Sequence, residues 1–368
     1  METRKIIHVD MDSFYASIEM RDNPKYQKVP LVIARDPRHT GGKGVVATAN
    51  YIARQYGINS AISCAKALKL CPQAVFKQPD FEKYRQVSNQ IHTIFHEYTE
   101  IIEPLALDEA YLDVTFNKIN EASAIKIAHE IQQKIYAKTK LTCSVGVSYN
   151  KFLAKLASEY RKPTGLTLVR KKEAKDFLLA LKIEDFRGVG KKTVPKMHAL
   201  GIFTGEDLYA CSLEMLIKNF GKLGMLLYER VRGIDKRLVE AKRTPKSIGK
   251  EKTFDIALTT NTQVNEQFKS LVKKVVMQMQ KKQKKAKTLV IKVRNSQYQT
   301  VTKRLTQPDF LENEVASLVF YAQQLFEQIQ PNEIDVRLLG LTLTNLDDVS
   351  YQNIVLPLWS KKTDYSEG

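Results

Sequence analysis

The chain is poor in cysteine and tryptophan and has no long apolar run. Its 368 residues include 4 cysteines and 1 tryptophan. The cysteines are far apart and form no Cys-x-x-Cys pair, which argues against a zinc site and fits a reducing compartment. No segment approaches the roughly 18 apolar residues of a membrane-spanning helix, and the apolar stretch near Met1 is too short for a signal peptide. These absences predict a cytoplasmic protein that does not enter a membrane.

Acidic residues are also scarce relative to basic ones. Lys and Arg number 58 against 40 Asp and Glu, which gives a formal net charge of +18. Residues 241–300 alone carry a balance of +12, so most of the excess lies in one segment. Such a concentration favours a polyanion-binding module, whose ligand is nucleic acid or an anionic lipid surface. The basic run 281–287 has no strongly apolar opposite face, which argues against the lipid surface.

The hydrophobic pattern divides the chain into three parts. Strands and helices alternate in the first 165 residues, which predicts an α/β or α+β domain. Its predicted strands are 5–11, 105–114 and 142–148, and its predicted helices are 49–55, 82–99, 122–139 and 151–160. Residues 170–235 read as short helices punctuated by glycine, and a polar linker is predicted at 233–246. The last part reads as a sheet of strands 254–258, 289–293, 299–303 and 336–344, covered by two helices, 261–285 and 313–328.

Carboxylates interrupt two apolar strands. Asp10 ends the first strand, Asp12 follows it, and the pair Asp108 and Glu109 lies between apolar residues. A carboxylate beside a buried strand is costly unless it is paired or bound to a metal, and Mg²⁺ prefers such oxygen ligands. Two such ions can promote phosphoryl transfer. Neighbours on a regular strand point to opposite faces, so Asp108 and Glu109 can both face Asp10 only if the backbone is irregular there.

Five motifs carry a resemblance to a known family. They are DMDSFYASIE (10–19), ATANYIAR (47–54), LDEAYLD (107–113), SVGV followed by KFLAK (144–147 and 151–155), and KPTG (162–165). In order and spacing the chain resembles Y-family DNA polymerases of the bacterial DNA polymerase IV type, from residue 5 to about residue 345.

The resemblance implies an α+β multidomain fold, a right-hand polymerase with palm, small fingers, a helical thumb containing a helix-hairpin-helix, and an α/β little finger. The implied boundaries are palm 1–13 and 80–168, fingers 14–79, thumb 169–235, linker 236–246, little finger 247–348 and a tail at 349–368. It also implies a template-directed, error-prone translesion polymerase that adds dNTPs to a primer 3′-hydroxyl with two Mg²⁺ ions and has no proofreading exonuclease. Primer-template DNA and dNTP are the implied ligands of a monomer.

The resemblance assigns roles to individual residues. The metal ligands are Asp10, Met11 through its carbonyl, Asp108 and Glu109, of which the three acids are catalytic. Tyr15 is the steric gate that excludes ribonucleotides. The implied nucleotide contacts are Phe14, Tyr15, Thr48, Tyr51, Arg54 and Lys162. The implied DNA contacts are Gly188, Gly190 and Lys191 in the helix-hairpin-helix and Ser247, Gly249, Lys250, Lys292, Arg294 and Arg337 in the little finger. The run 281–287 is expected at a helix end, in solvent.

The sequence departs from the family at two positions and leaves several alternatives open. Ala106 stands where the family usually has serine, and Arg187 where it usually has proline. The tail residues Gln352, Leu356, Leu358 and Trp359 resemble a peptide that docks on the sliding clamp, although a strand packed on its own domain fits them too. Two rival functions use the same features. One is a two-metal nuclease with the same carboxylates, and the other is a DNA-binding scaffold whose site is inactive.

Overall fold

The computed structural model describes residues 4–242, 244–329 and 334–350. The chain divides into two compact units, residues 1–243 and 244–368, and each has its own hydrophobic core. No helix among the described residues is long and apolar enough to cross a bilayer. The predicted clamp peptide around Gln352 lies outside the described residues.

The first unit contains two sheets and eleven α-helices among its described residues. Its strands are β1 (Ile6–Met11), β2 (Leu31–Ile33), β3 (Thr48–Ala49), β4 (Val75–Lys77), β5 (Ile102–Pro104), β6 (Glu109–Asp113), β7 (Cys143–Ser148) and β8 (Leu166–Leu168). Its helices are α1 (Phe14–Asp22), α2 (Tyr51–Gln55), α3 (Cys64–Leu70), α4 (Phe81–Phe95), α5 (Ala124–Thr139), α6 (Lys151–Tyr160), α7 (Ala174–Leu179), α8 (Val194–His198), α9 (Gly205–Ala210), α10 (Leu213–Phe220) and α11 (Lys222–Val231).

The main sheet has the order β5-β6-β1-β7-β8, with β1 paired antiparallel to both β6 and β7. Side chains alternate along β1. Ile7 and Val9 pack in the core that includes α4 and α5, whereas Ile6 and His8 face α6. Both faces are therefore covered, which explains why β1 is buried along its whole length. Asp10 has the parity of His8 and lies where the strand leaves the core.

A small sheet, β3-β2-β4, packs with α2 and α3 around a separate apolar cluster. Helices α7–α11, called here the helical part, share a core with α6 through Phe152 and Leu153. Side-chain oxygens at the first residues of several helices accept backbone N–H groups, as Asn150 does from Leu153 at the start of α6. Such caps fix the helix starts that the sequence predicts closely.

The second unit is a four-stranded antiparallel sheet with two helices on one face. Its elements are β9 (Ser247–Leu258), α12 (Asn261–Lys281), β10 (Lys284–Arg294), β11 (Thr300–Leu311), α13 (Val315–Glu327) and β12 (Val336–Asp348), and the strand order is β11-β10-β12-β9. The apolar stripes of α12 and α13 bury the inner face of the sheet.

The prediction that the basic run 281–287 lies at a helix end in solvent holds for Lys281 and Lys282 and is wrong for the rest. Helix α12 ends at Lys281, four residues earlier than predicted, and Lys284, Lys285 and Lys287 belong to β10. Lys284 is buried and its ammonium lies 2.6 Å from an Asp348 carboxylate oxygen. Lys285 and Lys287 lie over the Phe310 ring. Pairing with Asp348 and with an aromatic face lets these lysines occupy a strand rather than a solvated helix end.

Candidate active site

Two neighbouring strands bring the predicted acids together. Asp10 pairs directly with Glu109 across β1 and β6, so the two carboxylates lie on the same face. His8, Asp10 and Glu109 each offer one ligand atom within 4.8 Å of the others. Asp10 and Asp108 line one cavity of about 190 Å³. The three carboxylates therefore surround the open end of β1.

The backbone before β6 is irregular, as a site containing both Asp108 and Glu109 requires. The strand begins at Glu109, and Asp108 lies in a bend in which the Leu105 N–H donates to the Glu109 carbonyl at 3.0 Å. The Met11 N–H donates to the Asp108 carbonyl at 2.9 Å. Strand alternation does not apply to Asp108, which removes the geometric difficulty seen in the sequence. Ala106, one of the two departures from the family, lies in this bend and brings no hydroxyl to it.

The environments of the acids differ. Burial raises the pKa of Asp108 to about 6, and the negative charges of Asp10 and Glu109 act in the same direction. Burial also opposes ionisation of Glu109, but contact with His8 and the charge of Lys155 outweigh it and lower its pKa to about 2. The Asp108 carboxyl thus takes up a proton near pH 6, whereas Glu109 stays ionised down to much lower pH.

Two lysines supply positive charge to this cluster. Lys155 on α6 contacts Glu109 and lies 3.7 Å from an Asp10 oxygen. The Lys162 ammonium lies 2.6 Å from the other Asp10 oxygen and 3.1 Å from Glu159. Ammonium groups drawn to these oxygens show that the position favours cations, and oxygen donors of this kind suit Mg²⁺. The residues present therefore fit a divalent metal.

His8 belongs to the site although the sequence analysis did not select it. The ring is fully buried, its Nδ1 lies 2.8 Å from Ser158 Oγ, and its Nε2 lies 3.3 Å from Glu109 Oε2. Burial lowers the pKa of His8 to about 4, so the imidazole is neutral at pH 7. A polar residue two positions before Asp10, with the same strand parity, was the signal that could have identified it.

Tyr15, the predicted steric gate, lines the same cavity as Asp10 and Asp108. Its ring is stacked on Tyr84 of α4, with centroids 4.4 Å apart and planes inclined by 12°. Phe81 meets Tyr15 edge-on at 5.8 Å. The Tyr84 hydroxyl donates to the buried Glu19 at 2.9 Å. The Tyr15 ring is thus packed against two aromatic residues, neither of which was predicted from the sequence.

The predicted nucleotide contacts surround the cavity, with one exception. Phe14, Tyr15, Thr48, Arg54 and Lys162 line it, together with Ser60, which the sequence analysis did not select. The Arg54 Nε donates to the Ala49 carbonyl at 3.0 Å, which orients the guanidinium. Tyr51 does not line the cavity; its hydroxyl lies 3.5 Å from Asp12 and its ring lies under Arg54, 4.9 Å away.

Asp12 has a different position from the other acids. One oxygen accepts from the Ser144 hydroxyl at 2.7 Å, and the other accepts from the Thr164 N–H at 2.9 Å. It therefore ties β7 to the loop that follows Lys162. These partners satisfy a carboxylate that is only 2% exposed, and they give it a structural role.

The candidate DNA contacts of the helical part lie in an exposed turn, residues 188–191, called here the glycine hairpin. Gly188 has a φ of +103°, where a side chain is strained, and an added Cβ would lie 3.2 Å from an Arg230 nitrogen. Gly190 has open space around it. Lys191 is exposed at the turn. The preceding Arg187 points away from the hairpin toward the main sheet, where it contacts Tyr111.

The candidate contacts of the second unit divide between two faces. Ile248 and Ile291 are buried under the helices, so the alternating Ser247, Gly249, Lys292 and Arg294 face the uncovered side. Lys250 has the parity of Ile248 and faces the helix side. Arg337 follows a register shift at Val336 and lies 5.1 Å from the Tyr298 ring.

Acids at the junction of two antiparallel strands face basic side chains across a cavity, an arrangement that suits metal-dependent phosphoryl transfer. The comparisons with known proteins agree with this. Residues 9–159 match the impB/mucB/samB family, residues 245–356 its C-terminal domain, and residues 184–235 the thumb domain of DNA polymerase-iota.

Relatives and solved structures cover almost the whole chain. The chain is 50% identical over 346 residues to DNA polymerase IV of Streptococcus pyogenes serotype M1, which covers 94% of this chain and 95% of that protein. The protein of the same name from S. pyogenes serotype M3 strain SSI-1 is 49% identical over the same length, 94% of both chains. A solved Y-family DNA polymerase chimera superposes with a TM-score of 0.83 at 28% identity, over 94% of this chain and 99% of that one.

The chain belongs to the Y family of DNA polymerases, in its bacterial DNA polymerase IV group. It is a DNA-directed DNA polymerase of the translesion class, without a proofreading exonuclease, and the predicted fold class is confirmed. Metal dependence, primer-template DNA and dNTP substrates follow from this membership.

Proposed function

We propose that Asp10, Asp108, Glu109 and the Met11 carbonyl hold two Mg²⁺ ions. The pairing of Asp10 with Glu109, beside an Asp108 carboxyl whose pKa is raised by burial and by these two negative charges, is the observation that supports this most strongly. Bound there, Mg²⁺ would lower the pKa of the primer 3′-hydroxyl and would balance the negative charge on the α-phosphate and on the leaving pyrophosphate. The carboxylates would hold the two ions at the end of β1.

We infer that basic side chains across the cavity bind the triphosphate. Lys162 is paired with Asp10, and a bound phosphate would offer the ammonium a second anionic partner. Arg54, oriented by the Ala49 carbonyl, presents donors to the phosphates, which suit its planar fork. Thr48 contributes a hydroxyl at the cavity wall, and Tyr51 contributes through its contact with Arg54.

Tyr15 is proposed to exclude ribonucleotides. Its ring forms one wall of the cavity, and Phe14 lies beside it, 5.6 Å away between centroids. A ring that cannot retreat leaves no room for a 2′-hydroxyl. The stack on Tyr84 supports this role because it blocks the direction in which the Tyr15 ring could move.

We propose two surfaces for the DNA backbone. The glycine hairpin, with Gly188, Gly190 and Lys191, exposes backbone N–H groups that suit a phosphate. In the second unit the uncovered face carries Ser247, Gly249, Lys292 and Arg294, while Lys250 lies on the helix side of β9 and Arg337 follows the register shift in β12, so both are weaker candidates. In this proposal the domains keep the predicted boundaries, with palm 1–13 and 80–168, fingers 14–79, thumb 169–235 and little finger 247–348.

The tail is proposed to dock on a sliding clamp through Gln352, Leu356, Leu358 and Trp359. Its Gln followed by apolar residues supports the proposal. Deleting residues 351–368 is expected to remove stimulation by a clamp and to leave basal synthesis intact; equal loss of both would exclude a docking role. The enzyme is proposed to act as a monomer in the cytoplasm, where bacterial DNA lies.

A primer-extension assay separates this function from its two rivals. With a labelled primer-template, dNTP and Mg²⁺, the primer is expected to lengthen by one templated nucleotide. A nuclease would instead shorten the primer without dNTP, and an inactive scaffold would bind the DNA and leave its length unchanged. The same assay on damaged templates measures translesion synthesis directly.

A further inference from the structure

Arg187 connects the glycine hairpin to the main sheet. It immediately precedes Gly188, and its Nη1 donates to the Tyr111 hydroxyl at 2.5 Å. Its own carbonyl accepts from Nη1 of the buried Arg230 at 2.7 Å. The residue is thus fixed at both its backbone and its side chain. Arg187 is also one of the two positions at which the sequence departs from the family.

Tyr111 is a suitable anchor because it is rigid and close to the acids. It is 1% exposed and lies on β6, two residues after Glu109 and on the same face. Across the sheet its ring packs on His8, with centroids 4.7 Å apart. The Lys151 ammonium lies 5.2 Å from the centroid of the same ring. Burial raises the pKa of Tyr111 to about 12, so its hydroxyl stays neutral.

The segment that follows the helical part, residues 235–239, also connects the helical part to the main sheet. Asp235 accepts from the Phe152 N–H at the start of α6 at 3.0 Å. The Leu238 carbonyl accepts from Lys151 at 3.0 Å. Val239 is buried beside Ile6 and Tyr111. The first residues of the predicted linker are therefore packed against the main sheet, which limits the movement of the helical part at this point.

We propose that Arg187 is a positioning residue that sets the distance between the glycine hairpin and Glu109. This inference rests on the proposed function, in which the hairpin binds primer-template phosphates and Glu109 holds a metal. A phosphate held by the hairpin then fixes the primer end relative to the acids through three links: Arg187, Tyr111 and strand β6. Misplacement of reacting groups by about 1 Å can lower a rate about 100-fold, so a link of this kind matters for the rate.

The competing role for Arg187 is a direct contact to a DNA phosphate. Its guanidinium is directed at Tyr111 rather than outward, which favours the positioning role. The two roles predict different measurements. A phosphate contact contributes to DNA affinity and to its salt dependence, whereas a positioning residue affects the rate of the bound complex.

The test is a double-mutant cycle of Arg187→Met and Tyr111→Phe in the full-length enzyme. DNA dissociation constants and single-turnover incorporation rates are measured with saturating DNA and dNTP. Each single change is expected to slow incorporation about tenfold and to leave the DNA dissociation constant within about twofold of wild type. The double variant is expected to be no slower than the slower single variant, because both remove one link. Arg187→Lys, which keeps a donor, is expected to recover part of the rate.

Arg170→Met is the matched control, since Arg170 is a surface residue of the same unit paired with Glu173, and it is expected to behave as wild type. Additive rate losses, or weaker DNA binding at an unchanged rate, would overturn the positioning role. Thermal melts of each variant identify a folding defect. Should Arg187→Met not fold, Tyr111→Phe and Arg187→Lys decide the question: wild-type rates for both contradict the proposal. A wild-type enzyme that does not extend primers would instead contradict the proposed function.

Discussion

At the scale of single residues, Asp108 and Glu109 are neighbours in sequence, but the pKa of Asp108 is raised and the pKa of Glu109 is lowered. Asp108 is half-buried beside two other acids, and Glu109 lies against Lys155. The folded-state pKa of Asp108 is raised, so its ionisation destabilises the fold as pH rises. The folded-state pKa of Glu109 is lowered, so it contributes stability that is lost only as pH falls toward 2. The ionised Asp108 therefore lowers the free energy of unfolding, at a position that favours cations.

Removing the Asp108 charge is expected to stabilise the metal-free protein. Asp108→Asn should raise the free energy of unfolding by about 1–2 kcal/mol at pH 7.5, because repulsion and desolvation disappear. The gain should be small near pH 4 and complete above about pH 6, where Asp108 of the wild type is ionised. Urea unfolding in EDTA at several pH values measures it, and Mg²⁺ should shrink the difference. A lower free energy of unfolding for Asp108→Asn than for wild type at pH 7.5 would contradict the claim that the Asp108 charge destabilises the fold.

The steric gate gives a second prediction at this scale. Tyr15→Ala is expected to raise ribonucleotide incorporation relative to deoxyribonucleotide incorporation by about 100-fold, because the ring that meets the 2′-hydroxyl is removed. Tyr15→Phe keeps the ring and its stack on Tyr84 and serves as the control. Competition between rNTP and dNTP at one template position provides the measurement. Equal discrimination by the Ala variant and wild type would remove Tyr15 from this role.

At the scale of secondary-structure elements, the contact of α6 with β7 places the basic side of the site. Gly146 of β7 has no side chain, and an added Cβ would lie 1.9 Å from the Ala154 carbonyl oxygen. The helix therefore lies directly on the strand. From this helix Lys155 reaches Glu109 and Ser158 reaches His8. The SVGV motif thus determines how close two site residues come to the acids.

Gly146→Ala is expected to destabilise the first unit by about 3 kcal/mol or more, because backbone atoms of α6 must move to admit a methyl group. Thermal or urea unfolding measures the loss. Gly190→Ala is the control for stability, since nothing lies within 4 Å of its added Cβ and its φ is not in the left-handed region. An equal, small effect of both substitutions would contradict the close packing of α6 on β7.

The elements that the sequence predicted well are those with a strong pattern. Strand β1 follows from the apolar run at Ile6, and α6 matches its predicted range because Asn150 caps it. Strand β9 was predicted only at 254–258, because just Ile248 and Phe254 of its twelve residues are buried. The bend before Glu109 depends on hydrogen bonds between segments and has no signature in the sequence. Tyr84 and Phe81, which contact Tyr15, lie in α4, far from Tyr15 in the sequence, so these contacts have no sequence signature either.

At the scale of the whole molecule, opposite charges serve different units. The acids of the catalytic site lie in the first unit, and most of the excess positive charge lies in residues 241–300. The uncovered face of the second unit carries Lys292 and Arg294 beside residues such as Gly249, Gly340 and Thr342, and Lys292 is paired there with Glu251 at 2.9 Å. The net charge alone predicted a polyanionic ligand. The strand register of the second unit adds which basic side chains lie on the same face of the sheet.

Duplex DNA binding is expected to weaken steeply with salt, and Arg294→Gln should reduce the slope of log affinity against log salt by about one. Lys250→Gln is the matched comparison, because Lys250 lies on the helix side of the same sheet and should reduce the slope less. Fluorescence anisotropy over a range of KCl concentrations measures both. A larger effect of Lys250→Gln would contradict the assignment of the uncovered face to DNA.

The central claim is that the three carboxylates at the end of β1 and the start of β6 carry out metal-dependent nucleotide addition. The most direct measurement is the single-turnover rate of dNTP addition by wild type and Asp108→Asn, with DNA affinity determined on the same samples. Wild type is expected to extend the primer in Mg²⁺ and to stop in EDTA. The variant is expected to bind DNA normally and to react at least about 100-fold more slowly. Extension by Asp108→Asn at the wild-type rate would contradict the account.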